Sequence, residues 1–473
     1  MTELVDRCLL LGFEGRTAPD RIRRLAAAGL GGVILFADNL GEPEEIAGLV
    51  AALRSERPEL LVALDEEGGT VTRLEARHGS SFPDALTLGT VDDVELTREV
   101  ARSVAGALAK VGANLNLAPV VDVNSDPANP VIGVRSFGAD PRRVAAHGVA
   151  FVEGTQERGV GACAKHFPGH GDTTVDSHFG LPRIGRGLEQ LREVELVPFR
   201  AVIEAGVEAI MTAHVHFTAL DEAPATLSRP ILTGLLREEL GFGGAVVTDA
   251  LEMEAIAGSV GVARGAVRSL QAGADLLCIG REAPQEDARL ALQEAMRDGT
   301  LATERLEEAA GRVDRLALAA RTPAAGEVDR HLGVEAARRA VSVAGEIRLA
   351  APPVVIELLS GRGAGIGGAS GSLLDELRVR EPAVDGERLD APPPDVDELL
   401  ARAEGRPLVV SAEEPHRYPW QRDVLQRVRT GRPEAIVVAF GVPDPQPLDP
   451  PVLTAHGSAR VAVAAAAERL LRP

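Results

Sequence analysis

The chain has 473 residues, of which 45% are hydrophobic and 25% charged, and this composition is typical of a globular protein with two or three domains. Its formal net charge of −20 argues against nucleic acid and anionic membrane surfaces as partners, because both attract Lys and Arg. The three separated cysteines are interpreted as buried free thiols, and without an apolar run of ~18 residues or a signal-peptide pattern we expect a cytoplasmic protein.

The first 320 residues alternate between short apolar runs and longer helical patterns. Eight of the runs are predicted strands, and their nearly continuous apolar character is typical of parallel strands buried on both faces. Eight strand–helix units predict a (β/α)8 barrel, with an open doubly wound sheet as the alternative. The predicted strands are residues 8–12, 32–36, 60–64, 114–121, 161–165, 209–214, 245–248 and 275–279.

The rest of the chain is predicted to form a second domain. We expect a catalytic barrel over residues 1–320, a linker at 321–333 that contains Thr-Pro-Ala-Ala-Gly, and a smaller α/β sandwich over 334–473. A Gly-rich stretch at 361–371 is a predicted loop. The apolar runs that suggest strands in this domain are 353–359, 408–411 and 435–440.

Polar side chains follow several of the predicted barrel strands. In a barrel the carboxyl ends of all strands lie on one face, which is where the active sites of such folds are found. This convergence predicts an enzyme. The residues are Asp65, Arg135, Lys165, His166, His214 and Asp249.

The densest polar cluster spans residues 165–178, which hold three His, two Asp and one Lys. One interpretation is metal-free acid–base chemistry, with His178 as proton donor and Asp176 orienting its ring. The other is a zinc site, and spacing alone leaves both open. Asp249, directly after a buried run, is either a helix cap or a carboxylate nucleophile. The candidate zinc ligands are His166, His170, His178, Asp172, Asp176, His214 and His216.

Several of these segments also resemble the motifs of one enzyme family. Lys-His-Phe-Pro-Gly-His-Gly-Asp-Thr at 165–173 and Val-Asp-Ser-His at 175–178 resemble the signature of glycoside hydrolase family 3 β-N-acetylglucosaminidases, the NagZ-like group. The similarity extends over roughly residues 9–280. Further landmarks in the family's order are Leu-Asp-Glu-Glu-Gly-Gly at 64–69, the segment 129–137, Pro-Ala-Thr-Leu-Ser at 224–228 and Thr-Asp-Ala-Leu at 248–251.

The resemblance implies a retaining, exo-acting β-N-acetylglucosaminidase that removes terminal β-linked GlcNAc from short, cell-wall-derived glycosides or chito-oligosaccharides. It implies Asp249 as nucleophile, His178 as acid/base with Asp176 as its partner, and no metal or other cofactor. An aromatic content of only 3% is a separate indication of a short sugar substrate, since aromatic platforms grip long polysaccharides. The substrate-binding residues that the resemblance implies are Asp65, Arg73, Arg135, Lys165 and His166.

Three alternatives stay open at this stage. A neutral His178 does not repel an anionic acceptor, so a phosphorylase that takes phosphate as its second partner is one of them, with Arg135 and Lys165 favouring the anion. A metal-dependent barrel hydrolase is the second alternative. The third is a non-catalytic sugar-binding protein on the same scaffold.

Overall fold

The computed structural model describes residues 2–320, 323–324, 326–359, 371–393 and 395–472. All but the last residue of the predicted loop at 361–371 lies outside these ranges. Arg321, Thr322 and Ala325 of the predicted linker lie outside them as well.

Eight parallel strands form the main sheet, and every residue in them is buried. The strands are hydrogen-bonded in chain order, with the eighth beside the first. A parallel bridge between Val247 and Leu276 joins the seventh strand to the residue before the eighth and closes the ring. The predicted barrel is therefore confirmed. Its strands are Leu9–Leu11, Gly32–Ile34, Leu61–Leu64, Leu115–Asn116, Gly161–Phe167, Ala209–Thr212, Ala245–Val247 and Leu277–Ile279.

Helices alternate with these strands because their apolar residues recur at helical spacing. In Val94–Lys110, for example, Leu96, Val100, Val104 and Leu108 recur every four residues and are buried. The other helices of this part are Thr2–Arg7, Asp20–Ala27, Pro43–Glu56, Pro141–Gln156, Leu188–Glu193, Leu196–Glu204, Glu254–Ala257, Val262–Ala272, Gln285–Arg297 and Thr303–Ala319. Shorter elements are the 3₁₀ turns Ala37–Asn39 and Ala225–Leu227, the π-helix Pro230–Glu239, and the paired strands Arg183–Ile184 and His216–Phe217.

A second sheet has six strands that run in mixed directions. Its first two strands in spatial order pair antiparallel, and the other neighbouring strands pair in parallel. Its spatial order is Ser342–Ala344, Val452–Ala455, Ile436–Phe440, Leu408–Glu413, Val354–Leu358 and Asp385–Leu389. Alternate strand residues pack on opposite faces, since Val355 and Val409 belong to one core cluster and Ile356 and Val410 to another. This confirms the predicted α/β sandwich. Its helices are His331–Ala340, Leu373–Arg380, Val396–Arg402, Pro419–Gly431 and Arg460–Leu471, with a 3₁₀ turn at Pro415–Arg417.

The chain divides into two compact units that do not correspond to a single cut in the sequence. The first comprises Met1–Glu67, Val94–Ile132 and Ser136–Asp329. The second comprises Gly68–Asp93, Gly133–Arg135 and Arg330–Pro473, and it includes the helix Ala85–Val91 and the 3₁₀ turn Gly133–Arg135. The domain limits expected from the sequence stay a prediction.

Among the residues that the structure describes, no helix combines the length and the apolar character that crossing a membrane would require.

Candidate active site

The carboxyl end of the fifth barrel strand carries a buried lysine between two carboxylates. The side chain of Lys165 is 2% exposed, and its Nζ lies 2.7 Å from Asp65 Oδ1 and 2.8 Å from Glu67 Oε1. Both carboxylates come directly after the third strand, Leu61–Leu64. The strand-end pattern predicts Asp65 and Lys165 as site residues, whereas Glu67 enters the prediction only within the motif Leu-Asp-Glu-Glu-Gly-Gly. The ion pairs hold Lys165 rigidly at the strand end.

His166 is held by a carboxylate that sequence analysis did not single out. Its Nδ1 lies 2.7 Å from Asp122 Oδ2, and the backbone N–H groups of His166 and His170 donate to Asp122 Oδ1 at 3.2 and 2.7 Å. Burial opposes the ionisation of Asp122, but His166 and these hydrogen bonds lower its pKa. An ionised Asp122 accepts a hydrogen bond from the Nδ1–H group and thereby sets the orientation of the His166 ring.

Asp249 follows the seventh strand and is partly exposed. Its Oδ1 accepts a hydrogen bond from Ala250 N at 2.8 Å. Burial works against its negative charge, but positive charge on His214, His166 and His178 lowers the pKa of Asp249 to about 2. The carboxylate is therefore ionised at neutral pH, which is the state a nucleophile needs.

His214 is hydrogen-bonded to the residue that follows Asp249. It is fully buried, with Nδ1 2.7 Å from Thr226 Oγ1 and Nε2 donating to Ala250 O at 3.0 Å. Burial lowers its pKa. His214 therefore supports the peptide that follows Asp249, and both of its ring nitrogens are already hydrogen-bonded.

Asp176 and His178 form a pair on the loop after the fifth strand. Asp176 Oδ1 lies 2.7 Å from His178 Nδ1 and accepts from His178 N at 2.9 Å. Burial raises the pKa of Asp176, but the hydrogen bonds from His178 outweigh it and the net shift is downward. The imidazole is 34% exposed. Because Nδ1 is held by an ionised carboxylate, Nε2 is the nitrogen that can exchange a proton with a substrate.

Side chains within the same loop cross-link it. His170 is hydrogen-bonded through Nδ1 to Thr173 Oγ1 at 2.8 Å and through Nε2 to Ser177 Oγ at 3.1 Å. Burial lowers the pKa of His170 to about 4, so this link is neutral near pH 7. Arg186 bridges Asp172 and Glu195 at 2.7 and 2.6 Å. His170 and Asp172 thus organise the loop.

Glu252 is a second residue that sequence analysis passed over. It lies three positions after Asp249, and its Oε2 accepts from Gly280 N at 2.9 Å. Burial raises its pKa, and the negative charge of Asp249 raises it further. Both Glu252 and Asp122 follow apolar barrel strands. The strand-end pattern that drew attention to Asp65 and Asp249 could therefore have found them.

The candidate zinc ligands are not arranged as a metal centre. Within the parts of the chain that the structure describes, no three His, Cys, Asp or Glu side chains form a group that could hold a metal ion. His216 Nε2 donates to Asp221 O at 3.0 Å, and His166, His170 and His214 are used as described above.

The two arginines expected to bind substrate belong to the second compact unit, whereas the other expected site residues belong to the first. Arg73 lies in the segment Gly68–Asp93, and Arg135 ends the 3₁₀ turn Gly133–Arg135. Both are half-buried. Within the first unit, Asp65, Lys165, His166, Asp249 and the Asp176–His178 pair all lie at or after the carboxyl ends of barrel strands.

Comparison with known proteins gives the family. The model described as "Glycosyl hydrolase family 3 N terminal domain" matches residues 9–316. A β-hexosaminidase of Methylococcus capsulatus is 36% identical over 322 residues, which cover 67% of this chain and 95% of that protein. β-Hexosaminidase A of Pseudoalteromonas piscicida is 38% identical over 281 residues, 54% of this chain, but the match spans only about half, 47%, of that relative's length.

A solved structure extends the likeness to the second domain. The glycoside hydrolase family 3 β-N-acetylglucosaminidase from Paenibacillus sp. str. FPU-7 superposes with a TM-score of 0.88 at 32% identity. The superposition covers 99% of this chain and 96% of that one. The chain therefore belongs to glycosyl hydrolase family 3, a family of glycosidases.

Proposed function

We propose that the chain is a retaining, exo-acting β-N-acetylglucosaminidase that cleaves terminal β-linked GlcNAc from short glycosides. The observation that carries the proposal is a pair of complementary groups in the barrel. The carboxylate of Asp249 is held ionised, and His178, which contributes to that shift, is oriented by Asp176 for proton transfer. The β-hexosaminidase and β-N-acetylglucosaminidase named above are family members with this activity in their names, and they support the choice of sugar.

The first chemical step would join Asp249 to the sugar. Its carboxylate attacks the anomeric carbon while protonated His178 donates its Nε2 proton to the departing glycosidic oxygen. Asp176 stabilises the imidazolium before transfer, because its ionised carboxylate accepts a hydrogen bond from the Nδ1–H group. The products are the released aglycone and a covalent glycosyl-enzyme, with His178 left neutral.

The second step would reverse the proton flow. Neutral His178 takes a proton from a water molecule as that water attacks the anomeric carbon from the face vacated by the aglycone. The Asp249 ester bond breaks, its carboxylate is regenerated, and the sugar leaves with its β configuration retained. Asp176 again stabilises the imidazolium that forms.

Sugar binding falls to residues that offer both donors and acceptors. Lys165 and Asp65 form a donor–acceptor pair at 2.7 Å that suits a vicinal diol, and His166 adds a ring oriented by Asp122. The family resemblance assigns Arg73 and Arg135 to the same task. These five residues are proposed to hold the GlcNAc ring.

We propose water, and not phosphate, as the acceptor, because the relatives named above are a β-hexosaminidase and a β-N-acetylglucosaminidase by name. The ammonium of Lys165 is already paired with Asp65 and Glu67, which makes it less available to an anionic acceptor. Phosphorolysis is left as an outcome of the test. All three cysteines are free and buried, which suits a reducing compartment, and we infer that the enzyme acts in the cytoplasm.

Release of 4-nitrophenol from its β-N-acetylglucosaminide in the presence of EDTA tests the proposal directly. We expect turnover with EDTA, little turnover of the matching β-glucoside, and none by Asp249→Ala. Millimolar phosphate should change neither the rate nor the product. Formation of a sugar 1-phosphate would identify a phosphorylase, loss of activity in EDTA would favour a metal-dependent hydrolase, and an inactive wild-type protein would refute the proposed function.

A further inference from the structure

The second compact unit contains the two segments that carry arginines assigned to sugar binding. Arg73 lies in Gly68–Asp93 and Arg135 in Gly133–Arg135, and both segments group with the C-terminal residues. Barrel residues flank each segment in the sequence. The contacts within this unit show how the C-terminal residues engage these segments.

Asp84 is the central link. Its side chain is buried, and Oδ1 accepts a hydrogen bond from Thr70 N at 2.8 Å. Oδ2 accepts from Ser458 N at 2.8 Å and from Ala459 N at 2.9 Å. Burial raises the pKa of Asp84, whereas the hydrogen bonds from these backbone N–H groups favour its charged form. One side chain thus joins the start of the Arg73 segment to the turn that precedes the helix Arg460–Leu471.

The chain packs closely around Asp84, and a Cβ added at either of two glycines would collide with its side chain. A Cβ on Gly69, whose φ is +62°, would lie 2.3 Å from Asp84 Oδ1. A Cβ on Gly457 would lie 2.8 Å from Asp84 Oδ2 and 2.5 Å from Thr87 Oγ1. The hydroxyl of Thr87 in turn donates to His456 O. The residues that surround the Asp84 side chain therefore come from both the segment Gly68–Asp93 and the C-terminal turn around Gly457.

Two further side-chain contacts join the segment Gly68–Asp93 to C-terminal residues. Arg460 Nη2 donates to Ser81 Oγ at 2.9 Å, and Arg330 Nε lies 2.9 Å from Glu75 Oε1. Glu75 also accepts from Ser81 N, which connects the two links.

Contacts within the second compact unit also involve the turn that carries Arg135. The helix Ala85–Val91, which begins directly after Asp84, packs against the turn Gly133–Arg135. It also packs against the helix His331–Ala340, which in turn packs against Arg460–Leu471. The position of the Arg135 turn is thus tied to the C-terminal residues through the helix that Asp84 anchors.

We propose that the C-terminal part of the second compact unit, Arg330–Pro473, sets the conformation of the two segments that present Arg73 and Arg135 to the sugar. It does so through the hydrogen bonds between Asp84 and the turn Gly457–Ala459. Asp84 is then a positioning residue and not a catalytic one. This rests on the proposed function, because it takes from it that the two arginines bind the substrate.

Asp84→Asn breaks the link with little change in shape. The amide retains one acceptor oxygen, so it can serve either Thr70 N–H or the Ser458 and Ala459 N–H groups, and its NH₂ would face a donor. Gly457→Ala disturbs the surroundings of Asp84 from the C-terminal side alone.

Arginines that hold the sugar bind the ground state and the transition state alike, so their displacement raises KM more than it lowers kcat. We expect both variants to raise KM for the 4-nitrophenyl substrate at least about tenfold, with kcat within about threefold of wild type.

Glu357→Gln is the matched control. Glu357 is a buried carboxylate of the same domain that accepts from Ser372 Oγ, Leu373 N and Leu374 N and pairs with Arg388. None of these partners lies in the arginine-bearing segments. We expect this variant to lower the unfolding temperature while KM stays within about threefold of wild type. Hydrogen exchange of peptides covering 68–93 should accelerate in Asp84→Asn and Gly457→Ala but not in the control.

The outcomes separate the inference from the proposed function. If wild type turns over and both variants match Glu357→Gln in KM and exchange, the positioning role is wrong. If wild type has no turnover, the proposed function fails, and the exchange of 68–93 alone decides whether the C-terminal domain holds this segment. If Asp84→Asn does not fold, KM and hydrogen exchange of Gly457→Ala decide whether the positioning role is correct.

Discussion

The two ends of the barrel each carry a cluster of buried charges, and the clusters differ in what completes them. At the amino end Asp275 is fully buried and pairs with Arg237, Arg305 and Arg312. Its Oδ2 also accepts from Val246 N at 2.9 Å. At the carboxyl end Lys165 is equally buried, but its partner Asp65 is 18% exposed.

The difference shows that buried charged groups serve stability at one end of the barrel and ligand binding at the other. The carboxylate at the amino end is surrounded by protein partners, so its charge is compensated within the fold and stabilises it. At the carboxyl end charged groups remain within reach of a ligand, and the 34% exposure of His178 extends this access. The two ends of such barrels divide stability and activity in this way. Each prediction below tests one end.

The largest effect is expected for Asp249→Ala. Without the nucleophile, kcat should fall by about 10⁴-fold or more. The unfolding temperature should also fall slightly at neutral pH, because the lowered pKa of Asp249 means that the folded protein favours its charged form. Steady-state rates and thermal unfolding measure the two quantities. Added azide should restore turnover and give an α-configured glycosyl azide. A β-configured product would contradict Asp249 as the nucleophile.

His178→Ala should have the next largest effect, and its size should depend on the leaving group. A sugar alkoxide needs protonation to depart, so kcat/KM for GlcNAc disaccharides should fall about 10²- to 10³-fold. Departure of 4-nitrophenolate needs little help, so its glycosylation step should be nearly spared. Equal losses on both substrates would remove His178 from the proposed role.

Asp275→Asn tests the amino end. Three arginines would lose a buried counter-charge, so the free energy of unfolding should fall by about 3 kcal/mol while kcat and KM stay unchanged below the unfolding temperature. Urea unfolding and steady-state rates measure these. The exposed Asp298→Asn serves as control and should leave the free energy of unfolding nearly unchanged. A large change in KM without destabilisation would invalidate the contrast between the two ends.

The smallest effect concerns Glu208, which immediately precedes the sixth barrel strand. Burial raises its pKa from the ordinary 4.5 to about 7. The folded protein therefore keeps this proton at pH values where the unfolded chain has lost it. The stability that the protonated group provides is complete below pH 4.5 and is lost as the pH rises towards 7.

Glu208→Gln removes this titration. At pH 8 the variant should unfold at a higher temperature, relative to wild type, than it does at pH 4.5. Thermal unfolding at both values measures it, and a difference that is independent of pH would show that Glu208 does not titrate in this range.

Much of the barrel and of its candidate site was predictable, because the relevant signals are local. A buried parallel strand is recognisable from its own apolar residues, and a polar residue at its carboxyl end is placed on one face by the fold. Asp65, Lys165 and Asp249 were found in this way. Asp122 and Glu252 follow strands as well, so the same strand-end pattern applies to them.

Asp84 could not have been found by the same reasoning. Its partners Ser458 and Ala459 are 374 and 375 positions away in the sequence. No local pattern marks an Asp before a short helix as a link to a distant turn, since its ordinary local role is that of a helix cap. The grouping of Gly68–Asp93 with the C-terminal residues is invisible for the same reason.

The α/β class, the eight barrel strands, the family and the local Asp176–His178 pair can all be inferred from the sequence alone. Periodicity, strand-end position and short motifs encode these features over a few residues. Which distant groups meet depends on the folded chain, as for His166 with Asp122, Lys165 with Glu67, and Asp84 with the turn at Ser458. The partners and charge states of buried polar groups depend on what packs around them, and that packing is a property of the whole fold.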